Sequence, residues 1–203
     1  SMAIFMVCLQ PRKLDLCVMN WVSKVFTWCS IFCVMAVLGL ACHSVEDNRR
    51  SFHQVYGQQL QFPDELHVIK AGSFYAQKQK IDLSDGLTLL TIIDGNCSSC
   101  VGSLWKWDAL FEVFRAYGNI TPAVIVQTQD TVTFLHNYEQ IGGVSYPVYL
   151  DTDVGFKQHT PVLEKSEYDT FLLNARNEVI LIGNPLHNPR LKKLYKTQIQ
   201  KYR

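Results

Sequence analysis

The stretch "LTLLTIIDGNCSSCVGSLWKWDALF", Leu87 to Phe111, sets an uninterrupted apolar run against two cysteines spaced C-x-x-C, and then a helical pattern. Leu87 to Ile93 has strand length and is bounded by Gly86 and Gly95. Such a run reads as a central strand covered on both faces. Beyond the cysteines, Val101, Leu104, Trp107 or Asp108, Phe111 and Phe114 recur at helical spacing, with Trp105 and Leu110 widening the stripe. Gly118 stands where a C-terminal cap is expected. Cys97 and Cys100 therefore fall at a strand-to-helix junction, where a pair at this spacing can exchange electrons, contribute to a metal site or staple a turn.

Outward from this stretch the chain alternates strand and helix signals. "ELHVIKA", Glu65 to Ala71, alternates weakly and precedes it. "NITPAVIVQTQ", Asn119 to Gln129, is a further strand, and "TVTFLHNYEQIGG" is a short helix ended by Gly142 and Gly143. "YPVYLDTD" follows as a strand, then a loop or short helix around Val154 to His159. "DTFLLNARNEVILIG" reads as two strands joined at Ala175 to Asn177, with Asn where positive φ is tolerated. "NPRLKKLYKTQIQKY" closes the chain as a helix with Leu191, Leu194, Tyr195 and Ile199 on its buried face. From Leu87 the order is strand, helix, strand, helix, strand, hairpin, helix.

The N-terminus differs in composition. "VFTWCSIFCVMAVLGLA", Val25 to Ala41, is uncharged and apolar and follows Arg12, Lys13 and Lys24. A basic flank, an apolar stretch and small residues fit a secretory signal, and about 17 residues also approach the length of a membrane anchor. "GLAC", Gly39 to Cys42, resembles a bacterial lipoprotein signal whose cysteine is acylated, although Leu40 lies two rather than three positions before Cys42. The expectation is a signal peptide or anchor over residues 1–42, with lipidation at Cys42. "MNWVSKVF" offers a more compact start at Met19. Residues 43–61 are polar and without sustained periodicity, and read as a tether lifting a domain over residues 62–203 from the membrane.

Composition narrows the function. The 203 residues are 48% hydrophobic and 12% aromatic, which argues against disorder, and the formal charge of +1 gives no electrostatic reason to invoke nucleic acid. Of 19 basic and 18 acidic residues, the first 42 positions hold three and one, leaving 16 and 17 in near balance. Export would also remove Cys8, Cys17, Cys29 and Cys33 and lipidate Cys42, so the mature domain keeps one pair in an oxidising space. His43, His53 and His67 lack fixed spacing, and His136, His159 and His187 bear no ligand-like spacing to the cysteines, so no metal is expected. "RLKKLYK", Arg190 to Lys196, reads as the solvated face of the last helix. Trp105 and Trp107 read as packing residues.

The pattern "DGNCSSC…LWKWDALFEVF…YPVYLD…DTFLLNARNEVILIGNP…LKKLY" resembles the thioredoxin fold, in particular its membrane-tethered TlpA-like and peroxiredoxin-related branch and a set of thioredoxin-like lipoproteins of Gram-negative bacteria. The resemblance implies an α/β domain with a central mixed β-sheet flanked by helices. It also implies an extracytoplasmic, membrane-anchored thiol-disulfide oxidoreductase of the Gram-negative cell envelope, facing the periplasm or cell exterior. Its partners would be protein or peptide thiols and disulfides, with no cofactor. A thiolate is the reactive species, and the free N–H groups at a helix start stabilise it. Cys97 is then expected as nucleophile and Cys100, one turn on, as resolving cysteine.

Ser98 and Ser99 replace the residue pairs common between such cysteines, and their hydroxyls can cap the helix or bond to sulfur. Asp94 is either a proton relay or a solvated turn carboxylate. Two departures stand out. Asn96 occupies the usual tryptophan position before the first cysteine, and Tyr168 occupies the register of a cis-proline in the loop facing the thiols. Pro161 lies seven residues too early for that register, and Pro147 belongs to the preceding strand. The peroxiredoxin pattern Pro-x-x-x-Thr-x-x-Cys is absent, with Asp94 at the threonine position. A structural disulfide across so short a loop removes little chain entropy, which favours redox use. The competing class is a non-catalytic binding lipoprotein with a vestigial or sensory pair.

Overall fold

The computed structural model describes residues 52–70, 73–81, 83, 86–153, 155–164 and 168–202. Its centre is the apolar run read above. β3 (Leu87–Asp94) is buried throughout except at Asp94. Leu87, Leu89 and Ile93 point into one core layer, whereas Leu90 and Ile92 point into the other. Alternation with period two on a doubly covered sheet therefore demands apolar residues at nearly every position.

Among the described residues seven strands follow the order β2 (Ser73–Gln79), β1 (Leu66–Lys70), β5 (Val148–Asp151), β4 (Ile120–Gln127), β3, β6 (Thr170–Leu173), β7 (Val179–Ile182). β4 (Ile120–Gln127) runs parallel to β3 and pairs Leu87 with Ile120 through to Asp94 with Gln127. β5 (Val148–Asp151) is parallel to β4, and β6 (Thr170–Leu173) is antiparallel to β3. β7 (Val179–Ile182) continues antiparallel from β6 through the turn where Asn177 takes φ 60°. Pro122 sits inside β4 without breaking the sheet, because β5 begins pairing only at Val124, leaving no ladder bond there that needs a proline N–H. On the far side, β1 (Leu66–Lys70) is antiparallel to β5. β2 (Ser73–Gln79), which pairs with β1, has no counterpart in the sequence reading, since "SFYAQKQ" lacks the apolar alternation that marks a strand.

Helices cover both faces. One layer holds α2 (Leu104–Arg115), α3 (Thr131–Gln140) and α6 (Pro189–Lys201), with Trp107, Phe111, Phe114, Phe134 and Tyr195 in its core. Phe114 stacks on Tyr195 at 5.7 Å between ring centroids. The other layer is built by α4 (Gly155–His159), α5 (Pro161–Glu164) and the segment before β1. A four-residue helix, α1 (Ser98–Val101), carries the cysteine region ahead of α2.

Four details differ from the sequence reading. The helix expected to run on from the cysteines breaks at Gly102–Ser103, where the Ser103 hydroxyl turns back to donate to Cys100 O at 2.6 Å. Trp105 does not widen the buried stripe: it is 55% exposed, about 150° around the helix from the buried row of Leu104, Trp107, Phe111 and Phe114. Leu194 is likewise exposed, and the buried face of α6 rests on Tyr195 and Ile199. Gly118 is not the cap of α2, which is Ala116. A Cβ on Gly118 would stand 3.0 Å from Ile199 Cγ2, so glycine there admits the close approach of α6.

The packed chain also begins before the expected boundary at Phe62. Val55 and Leu60 are 1% and 2% exposed. Gly57 N–H donates to Val179 O and Val179 N–H to Gln58 O, covering the outer edge of β7 at its first residue, and Leu60 N–H donates to Asn177 O in the turn before it. An edge strand paired in this way no longer offers free backbone groups to another chain there.

Candidate functional site

The fully buried strand β3 ends at Asp94, and the chain turns across the C-terminal end of β4. Asp94 Oδ1 accepts from Asn96 N–H at 2.9 Å, closing an Asx turn. Gly95 lies flush on the neighbouring strand: its N–H donates to Gln127 O at 2.8 Å, and a Cβ would come within 2.7 Å of Val126 Cγ1 and 2.8 Å of Thr128 Cβ. Only glycine fits between them. Asn96 Oδ1 in turn accepts from the hydroxyl of the buried Thr128 at 2.9 Å.

This turn delivers Cys97 as N-cap of α1, with extended backbone angles (φ −98°, ψ 106°). Cys97 and Cys100 are joined in a disulfide, their Cα atoms 5.2 Å apart. Cys100 N–H donates to Cys97 Sγ at 3.3 Å, and the Ser99 hydroxyl lies 3.2 Å from the same sulfur. A disulfide sulfur carries no proton, so Ser99 is the donor. Cys100 packs against the core layer beneath α2, whereas Cys97 is flanked by exposed Asn96, Ser98 and Ser99. Both cysteines are half-buried, and it is Cys100 that adjoins the core.

The break after α1 changes the electrostatics expected from sequence. Aligned peptide dipoles sum along a helix, and only four residues of α1 stand behind Cys97 before the chain kinks. Stabilisation of charge on Cys97 Sγ therefore comes from two local donors, the Cys100 amide and the Ser99 hydroxyl, more than from a long helix.

The other residues singled out above sit as follows. Asp94 is exposed, its carboxylate holding the Asn96 amide, which is the arrangement of a turn carboxylate. Ser98 is exposed, and its carbonyl receives Gly102 N–H at 2.8 Å. Tyr168 packs against the core layer opposite the one that Cys100 adjoins, beside which Phe62, Leu83 and Val162 also lie. Among the described residues every peptide bond is trans. Cys42 and the apolar run Val25 to Ala41 lie outside the described residues, and no described helix is long and apolar enough to cross a membrane. No cluster of three or more His, Cys, Asp or Glu suited to a metal occurs among the described residues.

Sequence reasoning passed over Thr128. Its only signal was position, directly after the apolar run of β4. A cleft of about 380 Å³ between the start of β1 and the Asp151–Phe156 segment touches neither cysteine. Asp151 at its rim is buried and spends its carboxylate on Gly155 N–H, Phe156 N–H and Gln127 Nε2, so it caps α4.

Neither protein-family models nor curated proteins match this chain. Solved structures do. The thioredoxin domain of a thiol-disulfide oxidoreductase from Bacteroides vulgatus is 12% identical, covers 71% of this chain and 97% of its own, and superposes with a TM-score of 0.52. The reduced 2-Cys peroxiredoxin of Plasmodium vivax is 15% identical over 73% of this chain and 84% of its own, with a TM-score of 0.52. AhpC of Enterococcus faecalis is 16% identical over 71% and 92%, with a TM-score of 0.50. The likenesses establish the fold: this is a thioredoxin-like domain with a central mixed sheet flanked by helices.

Proposed function

We propose that this chain is a membrane-anchored, extracytoplasmic thiol-disulfide oxidoreductase that reduces protein disulfides through Cys97 and Cys100. The observation that carries the reading is the disposition of the pair: a Cys97 sulfur receiving an amide and a hydroxyl, bonded to a Cys100 that packs against the core. The solved relatives named for thiol-disulfide and peroxide chemistry share this fold and support the same reading.

The bonded pair is the oxidised end of the cycle. In the dithiol form, Cys97 thiolate attacks one sulfur of a substrate disulfide, forming a mixed disulfide and expelling the other substrate sulfur as thiolate, which takes a proton. Cys100 thiolate then attacks Cys97 Sγ, closing the intramolecular bond and releasing the second substrate thiol. Two electrons pass from the pair to the substrate, and a dithiol donor must return them. The Cys100 amide and the Ser99 hydroxyl favour this order, because both stabilise negative charge on Cys97 Sγ.

The anchor and the envelope location rest on the sequence of residues 1–42. Metabolic labelling with a fatty acid, lost in Cys42→Ala, tests the lipid. For the chemistry, equilibrating the protein with a dithiothreitol series and trapping mixed disulfides with Cys100→Ser is decisive. A folded protein whose pair stays inert to both would overturn the oxidoreductase reading in favour of a binding protein with a vestigial pair.

A further inference from the structure

Thr128 is the first residue beyond β4, and its side chain is fully buried. The hydroxyl is used twice: it donates to Asn96 Oδ1 at 2.9 Å and accepts from Asp130 N–H at 3.1 Å. A threonine hydroxyl has one proton, so with the Asp130 amide as its donor that proton is committed to Asn96. Thr128 is itself held, its N–H donating to Asp151 O at 3.3 Å. Asn96 immediately precedes Cys97 and is fixed from its other side by Asp94 Oδ1. Beyond Asp130, α3 begins and packs against α1, which contains Cys100. The chain entering Cys97 and the helix leaving it are thus both tied to the Thr128–Asp130 loop.

We infer that Thr128, acting through Asn96, is a positioning residue that holds Cys97 in register with Cys100 and thereby sets how strongly the pair stays oxidised. The inference rests on the thiol-disulfide reading above. In the disulfide the S–S bond itself confines Cys97; in the dithiol only the surrounding contacts do. An anchor that survives in the dithiol keeps the sulfurs near bonding position and raises their effective concentration toward each other. Releasing it frees the turn mainly in the dithiol, so the equilibrium moves toward that form. The reaction balances as dithiol plus oxidised dithiothreitol giving disulfide plus reduced dithiothreitol, with two electrons and two protons transferred.

The experiment measures that equilibrium constant in the full chain for wild type, Thr128→Val, Thr128→Ser and Asn96→Ala. Thr128→Val keeps the side-chain shape without the hydroxyl and is expected to shift the constant about fivefold toward the dithiol, the scale of one hydrogen bond. That equals about 20 mV at 29.6 mV per tenfold. Asn96→Ala, at an exposed position, is expected to shift it in the same direction and carries the test alone if Thr128→Val does not fold. Thr128→Ser restores the hydroxyl and the wild-type constant. Wild-type values in Thr128→Val and Asn96→Ala, with the wild-type pair exchanging normally, would overturn the positioning role and leave the oxidoreductase reading standing. A wild-type pair inert to dithiothreitol would overturn both.

Discussion

The Ser99 hydroxyl lies 3.2 Å from Cys97 Sγ, two residues along the same turn. In the dithiol form a donor at this position stabilises thiolate over thiol, since a hydrogen bond to the charged form favours it. Ser99→Ala should therefore move the pH midpoint of iodoacetamide alkylation at Cys97 upward. The rate near neutral pH should fall about threefold, the effect of roughly 0.7 kcal/mol for a solvent-exposed hydrogen bond. Ser98→Ala, whose hydroxyl makes no such contact, is the control and should leave the profile in place.

Gly95 supplies a steric test of the cysteine turn. A Cβ there would stand 2.7 Å from Val126 Cγ1 and 2.8 Å from Thr128 Cβ, closer than real contacts allow, and neither neighbour is a flexible side-chain end. Gly95→Ala is expected to cost about 1–3 kcal/mol as an overpacked site. Urea unfolding checks this. Loss of less than about 0.5 kcal/mol, the scale of a neutral surface change, would mean the turn can lift off β4.

The fold was legible in the sequence where burial is two-sided and lost where it is one-sided or local. Leu87 to Ile93 announces itself because both faces of β3 are covered, so only Thr88 and Thr91 interrupt the run and no charged residue does. β2 gives no such signal, since a sheet-edge strand paired on one side does not need one. The cysteine pair was visible from spacing alone, but the Thr128–Asn96 contact joins positions 32 residues apart and leaves no local pattern. Trp105 and Trp107 show the limit of composition. Both are tryptophans in the first turn of α2, and only the phase of the helix separates a core residue from an exposed one.

That phase makes a paired prediction. Trp107 is 1% exposed and in contact with Phe111 at 5.9 Å between centroids, so Trp107→Ala should destabilise the domain by about 3–5 kcal/mol. Trp105 is 55% exposed, and Trp105→Ala should change stability by no more than about 0.5 kcal/mol. Thermal unfolding of the two variants side by side separates them. Equal losses would place both indoles in the core and contradict the register of α2.

Asp130 predicts a pH dependence. Its carboxylate accepts from the Thr133 hydroxyl and then from the Thr133 amide, and these bonds hold its pKa below the ordinary 3.8. A carboxyl whose pKa is depressed on folding contributes stability that is fully present above the unfolded value and is lost as pH falls through the folded one. Wild type should therefore exceed Asp130→Ala in stability at neutral pH. The gap should narrow only below 3.8. A gap that stays constant down to the acid transition would show that the carboxylate charge plays no part in capping α3.

The N-terminal segment gives the last test, because it decides where the domain starts. Leu60 is 2% exposed within the core layer that also holds Leu66, Leu90 and Phe171, and residues 57–60 bond to the start of β7 and to the turn before it. A tether would be indifferent to its side chains, whereas a packed segment would not. Leu60→Ala should cost about 2–5 kcal/mol as a buried large-to-small change. A chain shortened to begin at Phe62 should lose at least as much, since it forfeits Val55, Leu60, the two backbone bonds to Val179 of β7 and the one to Asn177 together. Gln59, exposed in the same segment, is the control: Gln59→Ala should lie within about 0.5 kcal/mol of wild type. Equal stability of the shortened and full chains would return residues 52–61 to the tether and leave the edge of β7 to be protected by some other means.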